Sequence, residues 1–194
     1  RDDVESRGLG DVYKRQALRS VNNLLQLVTD LINFERANVY TSQLYVGEYE
    51  LHSYLESTCE TFRTYASQKN VNLSCESKFP FMNVWFDRDK MDSILKNLLS
   101  NALKYTPRNG NVHVCAYTEQ NTWSIEVSDT GIGIPADKAE YIFDRFTKLD
   151  DFMPGTGLGL YSCRLIVTRL GGSIYLDTSY RDGACFCIDL PDEK

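Results

Sequence analysis

Residues 111–135 read NVHVCAYTEQNTWSIEVSDTGIGIP, and their pattern decides the fold. Apolar and polar side chains alternate through NVHVCAYT and again through TWSIEVSD, the period of strands with one buried face. Only residues 119–121 separate the two runs, which predicts an antiparallel hairpin. The second run ends on Asp129, and DTGIGIP follows at once. Gly131 and Gly133 leave the backbone bare beside that carboxylate. Such a carboxylate can accept a hydrogen bond from an exocyclic amine such as adenine's. An ordinary Asp–Thr–Gly turn after a strand is the competing reading.

On the N-terminal side, DKMDSILKNLLSNALKYT predicts a helix over 89–105, stopped before Pro107. PRNGN then forms a turn. Met91, Leu95, Leu98 and Ala102 make a core stripe. Asn97, Asn101 and Lys104 make a second stripe beside it, with Tyr105 at its end. Asn is a poor helix former, so two of them one turn apart cost stability. Solvated amides or caps would account for one. Two beside Lys and Tyr point to a shared ligand: an Asn carbonyl offers Mg²⁺ an uncharged oxygen, and Lys offers phosphate a mobile cation.

On the C-terminal side, a short helix is expected over 136–146 and a polar loop over 147–154. PGTGLGLYS (154–162) then places glycines at 155, 157 and 159. A helix opened by such a loop turns free N–H groups and a partial positive charge outward, which suits a phosphate; glycines also make plain turns. The helix over 156–170 is apolar almost all round, hence expected to be buried, and Gly171–Gly172 end it. SIYLD and ACFCIDL read as a second hairpin. Upstream lie a helix over 50–70, with Leu51, Leu55, Cys59, Phe62 and Ala66 on one stripe, and strands VNLSCE and NVWFD. Blocks of helices and hairpins predict an α+β chain, a two-layer α/β sandwich with a mixed β-sheet.

Residues 1–16 carry no usable apolar period and read as a linker or a non-native segment. Val21, Leu24, Val28 and Leu31 form a seam of coiled-coil type on a helix ending near Arg36, which calls for a partner helix. Residues 37–50 read as a connector. The chain of 194 residues, 42% apolar and 25% charged, suffices for one domain with a helical appendage. A net charge of −6 argues against nucleic acid and anionic membranes as partners. No apolar run approaches the roughly 18 residues that span a bilayer, and no signal peptide is visible. Six cysteines without a CxxC pair, and only two histidines, argue against a zinc site. Cys185 and Cys187 share a strand face: either a redox pair or, the favoured reading, two small buried thiols in a reducing compartment.

Taken together, NLLSNALKYT, DTGIGIP, FDRF and GTGLGLYSCRLIV resemble the N box, first glycine box, F box and second glycine box of the ATP-binding domain of sensor histidine kinases. That domain sits within the Bergerat-type ATPase family shared with gyrase, mismatch-repair and chaperone ATPases. The match spans about residues 43–191, and domain boundaries of 17–42 for a partial dimerisation helix with its connector and 43–194 for the catalytic domain follow from it. The resemblance implies ATP and Mg²⁺ as cofactors. It gives Asn97, Asn101 and Lys104 to catalysis, with Mg²⁺ on Asn101 and the phosphates on Lys104. It places Tyr105 near the ribose and adenine on Asp129, with Gly131, Gly133 and Ile134 close by. Phe143 and Phe146 would anchor a lid, with Lys148 where the family often has Arg. Gly155, Thr156, Gly157, Leu158 and Gly159 would cradle the phosphates.

Hydrolysing members of that family carry Glu where this chain has Asn97. An amide cannot act as a general base, so transfer to a protein acceptor is the expected reaction. An acceptor His box is absent: His52 and His113 lack the motif. The resemblance therefore implies a phosphoacceptor helix elsewhere in the parent kinase, a homodimer through its helical hairpin, a response-regulator receiver as partner, and a cytoplasmic domain whose parent is membrane-anchored or not. A pure ATPase or serine kinase, or a degenerate docking module, remain the alternative readings.

Overall fold

The computed structural model describes residues 13–14, 16–18, 20–21, 24–25, 28, 43–78, 82–119, 121–149 and 155–192. In chain order these form β1 (Val46–Glu50), α1 (Leu51–Lys69), β2 (Asn72–Ser77), β3 (Asn83–Asp87), α2 (Arg88–Tyr105), β4 (Asn111–Glu119), β5 (Thr122–Asp129), α3 (Gly159–Arg169), β6 (Ser173–Leu176) and β7 (Cys185–Pro191). Five strands make one mixed sheet in the order β2-β4-β5-β7-β6, parallel only between β2 and β4. The expected α/β sandwich is the observed architecture.

Strand alternation sorts the sheet into two faces. Val112, Val114, Ile125, Val127, Phe186 and Ile188 point into the core. They meet Leu51 and Leu55 of α1, Leu95, Leu98 and Leu99 of α2, and Ile166 and Val167 of α3. The other face carries His113, Cys115, Tyr117, Glu126, Cys187 and Asp189. Local chemistry sets the helix ends. Glu50 accepts from the backbone N–H groups of His52 and Ser53, and Asp87 from that of Lys90. Asn70 closes α1 in the left-handed region at φ 54°. Thr106, held extended by the proline after it, stops α2.

Several expectations need correction. Residues 136–146 are two short 3₁₀ turns, Ala136–Lys138 and Tyr141–Phe143, because only Ile142 and Phe143 are buried there and no 3.6-residue stripe exists to hold an α-helix. The helix expected from 156 starts at Gly159, since Gly155 (φ 152°) and Gly157 (φ 72°) lie outside helical space. Nor is it buried all round: Ser162, Cys163, Ile166 and Val167 form one buried face. The expected connector over 37–50 contains strand β1, and β3 leaves the main sheet to pair with it as a separate antiparallel ribbon. Gly47 and two Glu hide that strand from periodicity. Tyr45 N donates to Asp87 Oδ2 (2.8 Å), and Tyr49 packs on Phe86 at 4.9 Å.

Helical conformation is present at residue 13, inside the stretch read as a linker. Val21, Leu24 and Val28 of the seam are exposed, by 53, 62 and 47%; Leu31 and Arg36 lie outside the described residues. All six cysteines are unpaired thiols, with Cys185 and Cys187 buried.

Phe86 joins the ribbon to the sandwich, with Tyr49, Tyr54 and Trp123 rings at 4.9, 4.9 and 5.5 Å. Truncating it to Ala leaves a cavity under all three. Phe86→Ala should lower the unfolding free energy by about 3–5 kcal/mol in urea titration, with Phe86→Leu costing clearly less.

Candidate functional site

Because the apolar stripe of α2 is pinned in the core, its polar stripe has a determined direction. It faces the start of α3. Asn97 Oδ1 lies 2.6 Å from where a Cβ on Gly159 would stand, and Lys104 Nζ 3.5 Å from one on Gly155. Asn97 Nδ2 donates to Ser93 O at 3.3 Å. Lys104 Nζ donates to Tyr105 Oη at 3.0 Å, which keeps the ammonium at the helix end. Asn101 lies between them, half-buried, and no hydrogen bond engages its amide among the described residues.

Asp129 ends β5 and is 4% exposed. Its Oδ1 accepts from Gly131 N (2.8 Å) and Ala184 N (3.3 Å). Burial pushes the carboxyl above the usual carboxylate value, and these two backbone N–H groups pull against that shift. With Oδ1 occupied, Oδ2 is the oxygen left for a ligand. The first glycine loop is pressed between two neighbours. A Cβ on Gly131 would stand 2.7 Å from both Asp129 Oδ1 and Tyr105 O, and one on Gly133 (φ 69°) 3.1 Å from Gly183 O. The loop therefore touches the end of α2 on one side and the β6–β7 loop on the other.

Phe143 is buried against Phe186, edge-on at 6.2 Å, and Arg164 lies 5.8 Å over its ring. Phe146 behaves differently. Its ring is 70% exposed and its φ is 62°, and its N–H donates to Gly157 O at 3.0 Å. Its backbone, not its ring, ties the two ends of the polar loop. Lys148 is exposed, Ile134 packs against the core, and Leu158 is buried with its N–H on Thr156 Oγ1. Residues 150–154 of the expected lid lie outside the described residues.

Asn97, Asn101, Lys104, Tyr105, Asp129, the first glycine loop and Gly155–Gly159 thus converge on one region. Gly183 and Ala184 belong to it as well, and sequence reading missed them. A Cβ on Gly183 would fall 2.1 Å from Asp129 O, so only glycine fits beneath the acid. In sequence, DGAC is one more turn before a strand; strand pairing alone reveals its place. Arg164, beside Glu140 and Asp144 at 3.6 Å each, likewise joins segments remote in sequence. The donor set fits a nucleotide: an acid oxygen for an amine, an uncharged oxygen for a hard cation, an ammonium and a glycine backbone for phosphates.

Comparison with known proteins agrees. Residues 86–194 match the family described as histidine kinase-, DNA gyrase B-, and HSP90-like ATPase. The adaptive-response sensory kinase SasA of Thermosynechococcus vestitus is 33% identical over 169 residues, 86% of this chain and 44% of that protein. Histidine kinase P4 of Formosa agariphila is 30% identical over 197 residues, 97% of this chain and 14% of that protein. The crystal structure of full-length ShkA in complex with AMPPNP superposes with a TM-score of 0.79 at 27% identity, covering 91% of this chain and 37% of that one. The chain spans under half the length of these curated relatives.

Asp129 has a testable electrostatic signature. Its folded carboxyl sits above the unfolded value, so its contribution to stability is present below the unfolded value and is lost as pH rises through the folded one. Asp129→Asn keeps the acceptor oxygen for both N–H groups without the buried charge. Stability of the wild type relative to this variant should fall as pH rises from 3 to 7 in parallel urea titrations; a pH-independent difference would contradict the buried-acid reading.

Proposed function

The chain belongs to the histidine kinase-, DNA gyrase B-, and HSP90-like ATPase family, and from that premise we propose that it is the ATP-binding catalytic domain of a two-component sensor histidine kinase. In this reading residues 43–194 bind ATP, and 17–42 belong to a dimerisation and phosphoacceptor hairpin that also makes the homodimer. The γ-phosphate goes to a histidine on that hairpin, for relay to a response-regulator receiver. The observation that carries the proposal is the convergence of the α2 polar stripe, Asp129 and both glycine loops on one region.

Each residue has a role that its chemistry supports. Asp129 Oδ2 accepts from the adenine amine, while Gly131 and Gly183 let the base and the backbone approach. Asn101 presents its amide oxygen to Mg²⁺, which neutralises phosphate charge when bound. Lys104, held by Tyr105, reaches the phosphates. Gly157, whose φ of 72° suits glycine, turns the backbone so that the opening of α3 faces them. Asn97 positions the transferring group and cannot deprotonate water, which favours a protein acceptor over hydrolysis. Phosphoryl transfer requires positioning and charge neutralisation more than covalent help.

Neither histidine of the chain serves as acceptor in this reading. His113 lies within β4 with Nδ1 2.9 Å from Ser74 Oγ, and His52 opens α1. The acceptor comes from another segment or chain. No helix among the described residues is long and apolar enough to cross a membrane; we place this domain in the cytoplasm.

Calorimetric titration with ATP, with and without Mg²⁺, tests the proposal. Binding should be Mg²⁺-sensitive, and Asn101→Ala should remove that sensitivity. In Gly157→Ala a Cβ would stand 2.5 Å from Phe146 C, so affinity should fall at least about tenfold, or 1.4 kcal/mol. Asp129→Asn should weaken adenosine binding more than triphosphate binding. A folded protein with no ATP affinity would sink the kinase reading and leave a docking module. Added His-bearing hairpin should then accept label from ATP stoichiometrically; steady hydrolysis without it would support the ATPase alternative.

A further inference from the structure

The face of the sheet turned away from α2 carries a cluster that the nucleotide site does not use. Parallel pairing of β2 with β4 sets Ser74 opposite His113 and Glu76 opposite Cys115. His113 and Cys115, two residues apart on β4, share that face. His113 Nε2 lies 3.3 Å from Glu76 Oε1, Cys115 Sγ lies 3.7 Å from the same oxygen, and all three atoms fall within 4.8 Å of one another. We propose that Glu76, His113 and Cys115 bind a divalent transition-metal ion, Zn²⁺ fitting best, with water completing four-coordination.

The geometry supports this, and one arrangement of the surrounding hydrogen bonds is compatible with it. Zinc bonds of about 2.0–2.3 Å to O, N and S, arranged tetrahedrally, place the ligand atoms roughly 3.3–3.6 Å apart. The Glu–His and Glu–Cys separations are already near those edges, and the His–Cys pair, within 4.8 Å, closes the rest on binding. Ser74 Oγ stands 2.9 Å from Nδ1 and 3.5 Å from Val112 O. The hydroxyl can therefore donate to the carbonyl and accept from Nδ1–H. In that tautomer the Nε2 lone pair faces the Glu76 carboxylate, acceptor against acceptor, and a cation between them satisfies both; in the opposite tautomer Ser74 donates to Nδ1 and Nε2–H donates to Glu76. A proton is one candidate and makes a plain ion pair; the thiol on the third side suits a soft-accepting metal. Glu126, opposite Cys115 on β5, is held by Tyr117 Oη at 2.8 Å, and Lys78 lies 4.6 Å over the Tyr117 ring, so both charges nearby have other contacts. Binding releases the Cys115 proton to solvent and leaves a thiolate on the metal. The ion would tie β2, an edge strand, to β4.

Cobalt reports directly on this site. Chelator-treated protein titrated with Co²⁺ should develop a sulfur-to-cobalt charge-transfer band with the visible bands of four-coordinate cobalt, and Zn²⁺ should abolish both. Cys115→Ser should lose the charge-transfer band. His113→Ala and Glu76→Gln should weaken binding at least tenfold, and the double variant Cys185→Ser/Cys187→Ser should keep the band. Zn²⁺ should raise the wild-type melting temperature but not that of His113→Ala, whose ATP affinity should be unchanged. Absence of the band at millimolar Co²⁺, or its persistence in Cys115→Ser, would overturn the proposal and leave a His–Glu ion pair.

Discussion

Everything at the proposed nucleotide site depends on the seating of α2. Leu95, Leu98, Leu99 and Leu103 are completely buried, and each contributes about 1.5–3 kcal/mol of transfer free energy. That burial leaves the helix no rotational freedom. Packing therefore aims Asn97, Asn101 and Lys104 at the start of α3, and the contacts of Asn97 with Ser93 and of Lys104 with Tyr105 only adjust that direction. Asn101 in particular is directed without a partner among the described residues, which suits an oxygen reserved for a ligand.

Close backbone approach is the second constraint. Gly131, Gly157, Gly159 and Gly183 each stand where a Cβ would meet another atom within 2.7 Å. These contacts bring four segments to one place: the end of β5, the β6–β7 loop, the end of α2 and the opening of α3. The buried carboxylate of Asp129 is stabilised by backbone N–H groups from two of them. A single oxygen thus fixes the loop, and the other is left to recognise a ligand. Gly157 and Gly159, proposed to face the phosphates, thus also have a packing duty.

The sheet's second face shows how far spacing rules reach. Spacing rules such as CxxC pairs register only ligands clustered along the chain, and the proposed ligands are not. Glu76 and Cys115 are 39 residues apart and meet only through the β2–β4 ladder. A similar blindness hid β1: its sequence alternates poorly, and its partner β3 supplies the reason for its existence.

By itself the sequence determined the β4–β5 hairpin, the two-striped α2, the glycine loops and the ATPase family they resemble. Those features are local: strand alternation, the 3.6-residue period and positions without Cβ are all legible within a dozen consecutive residues. Tertiary structure alone decided that β3 pairs with β1 outside the main sheet, that residues 136–146 wind as two 3₁₀ turns, and that Phe146 anchors by its backbone. It alone placed Gly183 beneath Asp129 and Glu76 beside Cys115. Each of these depends on which segments become neighbours, and neighbours are chosen by the packing of the whole core.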